Sequence, residues 1–78
     1  MAVINTIELT GVSAEGWGDA ARAALAEAAR TIRGIRSMDV LGTRALVEND
    51  CIVEYHTDVR ILFEIEQARD AVSRGPGP

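Results

Sequence analysis

Sixteen residues, Cys51 to Glu66, alternate in character with hardly a break. The odd positions carry Cys51, Val53, Tyr55, Thr57, Val59, Ile61, Phe63 and Ile65. The even positions carry Ile52, Glu54, His56, Asp58, Arg60, Leu62, Glu64 and Glu66. A period of two is the mark of a strand with one buried side. At ~3.3 Å per residue, such a strand runs to roughly 50 Å if straight. The single helix readable elsewhere has about 18 to 20 residues and spans roughly 30 Å at ~1.5 Å each. One helix cannot cover the apolar side of so long a strand. The strand must bend around the helix, or a second copy of the chain must cover its end.

Size points the same way. With 78 residues the chain is one domain, close to the lower limit for a single hydrophobic core. Small domains usually need a staple. Cys51 is the only cysteine and His56 the only histidine, so neither an internal disulfide nor a His/Cys metal framework is available. Oligomerisation remains. The formal net charge is −4, and the eight basic residues, all arginine, are dispersed along the chain. That is not a phosphate-tracking surface, and no nucleic-acid partner is expected. Residues 1–5 show no basic region leading into an apolar run, so neither a signal peptide nor a membrane span is expected and a cytoplasmic location is the default.

Val3–Thr10 also alternates and predicts a strand that Gly11-Val12-Ser13 closes. Ser13 is the predicted N-cap of a helix from about Ala14 to Arg33. Trp17, Ala21, Ala24, Ala28 and Ile32 share one face of it, with Leu25 beside them, and Gly34 is its stop. Seven alanines between Ala20 and Ala29 let a sheet approach closely. Ser37–Glu48 predicts a second strand with apolar residues on both sides: Met38, Val40 and Leu46 on one, Leu41, Ala45 and Val47 on the other. That pattern suggests a central or doubly buried strand. Asn49-Asp50 is a turn into the third strand. The order is β-α-β-β, an α+β chain with a three-stranded antiparallel sheet against one helix. The first strand pairs beside either the second or the third. The domain is expected over residues 1–67. Residues 68–78, ending Gly75-Pro76-Gly77-Pro78, read as a peripheral tail.

Several short motifs now resemble the dodecins. Ile7-Glu8-Leu9-Thr10-Gly11-Val12-Ser13 is similar to that family's opening strand, and Trp17 to a tryptophan some members carry early in the helix. Ala28-Ala29-Arg30-Thr31-Ile32-Arg33, followed by Ile35-Arg36, resembles the family's helix end. Val53-Glu54-Tyr55 through Phe63 resembles its last strand. The resemblance runs without a gap from about Val3 to Glu66. It implies a sheet wrapped partly around the helix and twelve copies closed into a hollow homododecamer. It also implies a non-enzymatic storage role, in which flavins (riboflavin, FMN or FAD) bind in pairs at two-fold interfaces.

The resemblance places the flavin site at Ser37, Met38, Arg44 and His56, and the chain departs from the pattern at two of them. Ser37 stands where the family's stacking tryptophan stands, and serine offers no ring. His56 stands where a flavin-contacting glutamine stands. Met38 offers a soft sulfur but should point to the other side of its strand. Arg44 matches an arginine of some members. A second reading is a flavin-free shell that binds calcium or another metal ion, or acts as a structural carrier. Asp39, Asp58 and Glu64 supply the oxygens, brought together only across subunits. Glu54, His56, Asp58 and Arg60 share one strand face. They read as a polar pocket or as a solvated face with cross-strand ion pairs. Cys51 reads as a buried small hydrophobe, and Trp17 as core or subunit interface. No nucleophile-base set, phosphate loop or metalloprotease motif is present, so no enzyme is expected.

Overall fold

The structure, a computed structural model, describes residues 2–65. Four elements follow in the predicted order: β1 (Ile4–Ser13), α1 (Trp17–Ala29), β2 (Ile35–Glu48) and β3 (Cys51–Glu64). The three strands form one antiparallel sheet in the order β1-β3-β2. The expected tail, 68–78, and the domain boundary before it lie outside the described residues.

The central strand is therefore β3, and β2 is an edge, contrary to the two-sided reading of 37–48. The reason is a set of bulges. The β2–β3 register shifts between Ile35 and Ser37, between Val40 and Gly42, and between Leu46 and Val47. Each shift adds one residue to one strand and reverses its alternation. Met38 and Val40 lie opposite Ile61 and Val59; past the extra residue Leu41, it is Thr43 and Ala45 that lie opposite Thr57 and Tyr55. Apolar residues of both parities thus serve one face. Val53 is the extra residue on β3, so Cys51 leaves the buried series. It pairs with Glu48 and is exposed, not buried as expected.

β1 pairs with β3 without a break, from Ile4↔Glu64 to Ser13↔Tyr55. It runs through Gly11 and does not stop there. Glycine is required at that point, since a Cβ would stand 1.8 Å from the Ala20 carbonyl oxygen. Ser13 ends the strand and is not the helix cap. Its hydroxyl accepts the Glu15 N–H at 2.8 Å and donates to the Asp19 carboxylate at 2.8 Å. Gly16 is the N-cap, without a side-chain bond. The helix ends at Ala29, short of Arg33, and a last loose turn follows in which Thr31 and Ile32 donate to the Ala28 carbonyl. Gly34 then reverses the chain with φ 77°, a conformation suited to glycine.

The core is thin. Ala20, Ala21, Ala24 and Ala28 meet Val59 and Ile61, and Ile7, Leu9, Leu25, Ile32, Ile35 and Met38 pack around them. Val59 and Ile61 are both 0 % exposed; full burial of such a side chain contributes about 1.5–3 kcal/mol. The helix covers only part of the sheet. Its 13 residues span roughly 20 Å, against roughly 46 Å for strands of 14. The far end of the β2–β3 hairpin projects past it, leaving Leu46, Val47, Ile52 and Val53 between 40 % and 62 % exposed. Among the described residues no helix is long and apolar enough to cross a membrane.

Candidate functional site

Among the described residues, the helix occupies one face of the sheet and the other face is open. Register decides what stands there. Side chains directly opposite across strands share a face, and so the open face is a series of rows. Thr6, Leu62 and Ser37 form one row, and Glu8, Arg60 and Asp39 the next. Thr10, Asp58 and Gly42 follow, then Val12, His56 and Arg44. Of the expected ligand residues, Ser37, Arg44, His56, Asp39 and Asp58 lie in these rows, and Glu64 lies opposite Ile4 at one end. Met38 lies opposite Ile61 and packs against the core, on the helix side.

Asp58 is the hub. Its Oδ1 accepts the Thr10 hydroxyl at 2.7 Å and its Oδ2 accepts Arg44 at 2.9 Å. One carboxylate thereby joins all three strands. The Thr10 hydrogen bond, followed by the Arg44 guanidinium, holds the Asp58 carboxyl below its usual range. Gly42 leaves space beside it: a Cβ there would lie 3.9 Å from Oδ2. An open cleft of about 390 Å³ runs along Glu8, Thr10, Leu41 and Asp58. Next along β3, His56 Nε2 lies 3.0 Å from Glu54 Oε1. Arg60 donates to Glu8 at 3.4 Å, and Arg36 donates to Glu64, from its Nε at 3.0 Å.

Most of these charges are internally paired. Among the described residues no three His, Cys, Asp or Glu side chains converge as metal ligands. One chain does not bring Asp39, Asp58 and Glu64 together, and the last two already accept from arginines. Nor, among the described residues, do the open-face rows offer a Trp, Tyr or Phe on which a flavin ring could stack. The chain has one Trp, one Tyr and one Phe, and none lies in the open-face rows. Tyr55 lies opposite Ser13 and Ala45, and Phe63 opposite Asn5 and Ile35, on the helix side. Trp17 packs edge-on against Tyr55, with centroids 4.9 Å apart. The residues present do not fit a stacked isoalloxazine. A larger cleft, about 440 Å³, lies away from these rows, at the end of α1 between Thr31, Gly34 and Phe63.

Thr10 and Glu8 were not foreseen as site residues. Nothing in their local sequence marks them. They join the site because β1 lies against β3, which the sequence left open.

The described residues thus make a small α+β fold, β-α-β-β, with one alanine-rich helix and a polar sheet face. The family model for dodecin matches residues 3–66, and the chain belongs to the dodecin family. A protein from Thermus thermophilus is 31 % identical with a TM-score of 0.81, and the match covers 86 % of this chain and 98 % of that one. Dodecin from Streptomyces coelicolor shares the fold at 23 % identity and a TM-score of 0.81, covering 85 % and 94 % of the two chains. A calcium-chelating antigen of Mycobacterium tuberculosis, described as a calcium dodecin, also shares the fold. It is 23 % identical with a TM-score of 0.73, over 85 % of this chain and 94 % of that chain. No curated protein matches the chain.

Proposed function

We propose that the chain is the repeating subunit of a cytoplasmic twelve-copy shell that stores or carries a small polar ligand. The ligand is gripped by the charged rows around Arg44, His56 and Asp58, and not by aromatic stacking. The observation that carries this reading is the make-up of the open face: paired arginines and carboxylates, three hydroxyl side chains, and no Trp, Tyr or Phe. Flavin is the family's expected cargo. A stacked aromatic pair contributes about 0.5–1.5 kcal/mol beyond its area, and Ser37 supplies none of it. Hydrogen bonds to charged groups contribute about 1.5–3 kcal/mol each. Arg44 and Asp58 can supply those to a polar molecule. Membership of the dodecin family supports binding without turnover.

Riboflavin fluorescence tests the reading. Emission should be unchanged when riboflavin is mixed with a molar excess of the purified shell. Strong quenching would show that flavin binds without the stacking residue and would overturn the polar-ligand reading. Calorimetric titration with calcium chloride separates the metal alternative. Heat that disappears in Asp58→Asn would make the shell a calcium binder instead.

A further inference from the structure

We infer that Trp17 is a latch that fixes the angle of the projecting hairpin against the helix, and so sets the geometry in which copies pack; the second half rests on the assembly proposed above. Three contacts converge on this one residue. Its indole Nε1–H donates to the Arg44 carbonyl at 3.1 Å. Its own carbonyl accepts the Thr57 hydroxyl at 2.8 Å, and Thr57 is 1 % exposed. Its ring meets Tyr55 nearly at right angles, an interplanar angle of 85°. Among the described residues, the Trp17–Arg44 bond is the one hydrogen bond that ties α1 to β2.

The contacts sit where the hairpin leaves the helix. Beyond Arg44 the arm runs to the Asn49-Asp50 turn without helical cover. Those five residues extend about 16 Å, so a 10° swing at the pivot moves the tip by roughly 3 Å. Apolar packing loses a quarter to a half of its contact energy over a gap of only about 0.5–1 Å. An arm that swings that far cannot hold a repeated interface. The latch also reaches the open face. Arg44, held through its carbonyl by Trp17, donates from its side chain to Asp58, which accepts Thr10. A continuous line of bonds therefore runs from α1 through β2 and β3 to β1. Trp17 acts through Arg44 and the arm and touches no ligand, so its role is positional.

Phenylalanine at position 17 keeps a six-membered ring for Tyr55 and removes the N–H together with the rest of the five-membered ring. Trp17→Phe should remain folded by circular dichroism. Amide exchange across residues 45–54 should rise while α1 keeps its protection. In native mass spectrometry and dilution experiments, the dissociation midpoint should move to about three- to tenfold higher concentration, the equilibrium effect of one lost hydrogen bond. Asp58→Asn in the same background should add less than it does alone, because both changes act on Arg44. Unchanged arm exchange in Trp17→Phe would overturn the latch, whatever the assembly does. Faster arm exchange with an unmoved dissociation midpoint would overturn the second half alone. A wild-type chain that is monomeric would instead refute the assembly, and the exchange result would still decide the latch.

Discussion

Asp58 illustrates how much one side chain can join. It is central in the sheet, and it reaches Thr10 across one strand boundary and Arg44 across the other. Both contacts favour the charged carboxylate and depress its pKa, Thr10 first and Arg44 second. In the unfolded chain the group titrates near its ordinary value. The contribution is therefore present above that value and is lost as pH falls through the lower, folded one. Asp58→Asn should lower the thermal midpoint at pH 6, and the gap from wild type should close in strong acid, once Asp58 itself is protonated. Melting curves from pH 6 down to pH 2 check this; a gap that stays constant with pH would remove the charge from the explanation. The alternation of 51–66 already placed His56, Asp58 and Arg60 on one face. Their partners were not legible, because Thr10 is 48 residues away from Asp58 in the chain and only the strand order brings it near.

At the scale of elements, α1 and β1 meet unusually closely because both surfaces are stripped of bulk. The helix shows Ala20, Ala21, Ala24 and Ala28, and the strand shows Gly11. Gly11→Ala would put a methyl group 1.8 Å from a backbone oxygen that cannot step aside. Overpacking of this kind costs typically about 1–3 kcal/mol, and more where backbone must move. The denaturant midpoint should fall accordingly. Gly16→Ala, where a Cβ meets nothing within 4 Å, is the control and should lower it less, by the cost of alanine at an N-cap alone. The alanine face and the element order were readable, since each rests on local periodicity. The helix start was not: Ser13 has the right chemistry for a cap, but its pairing with Tyr55 in the sheet outweighs it. The edge position of β2 was hidden by its bulges, because one extra residue at Leu41 makes a one-sided strand look two-sided. Cys51 was misplaced for the same reason, by the extra residue Val53.

At the scale of the molecule, the described residues are short of cover. One short helix protects the middle of the sheet, and the hairpin tip is left with apolar side chains facing outward. Val47 pairs with Ile52 there, and they are 62 % and 48 % exposed. A sole monomer gains little from such a pair, whereas a second copy seated on it would remove it from water at about 25 cal/mol per Å² of apolar surface. This separates two outcomes of Val47→Asp. In a monomer the new carboxylate stands mostly in water, and the fold should lose no more than about 0.5 kcal/mol, as surface changes do. In an assembly the same carboxylate would be buried against apolar side chains without a partner, which costs several kcal/mol per copy. Val47→Asp should therefore keep the circular dichroism spectrum of the wild type while native mass spectrometry shows dissociated chains. A variant that assembles at the wild-type concentration would mean that the hairpin tip is not where copies meet. The length mismatch between the strand of 51–66 and its helix would then have to be met by bending alone.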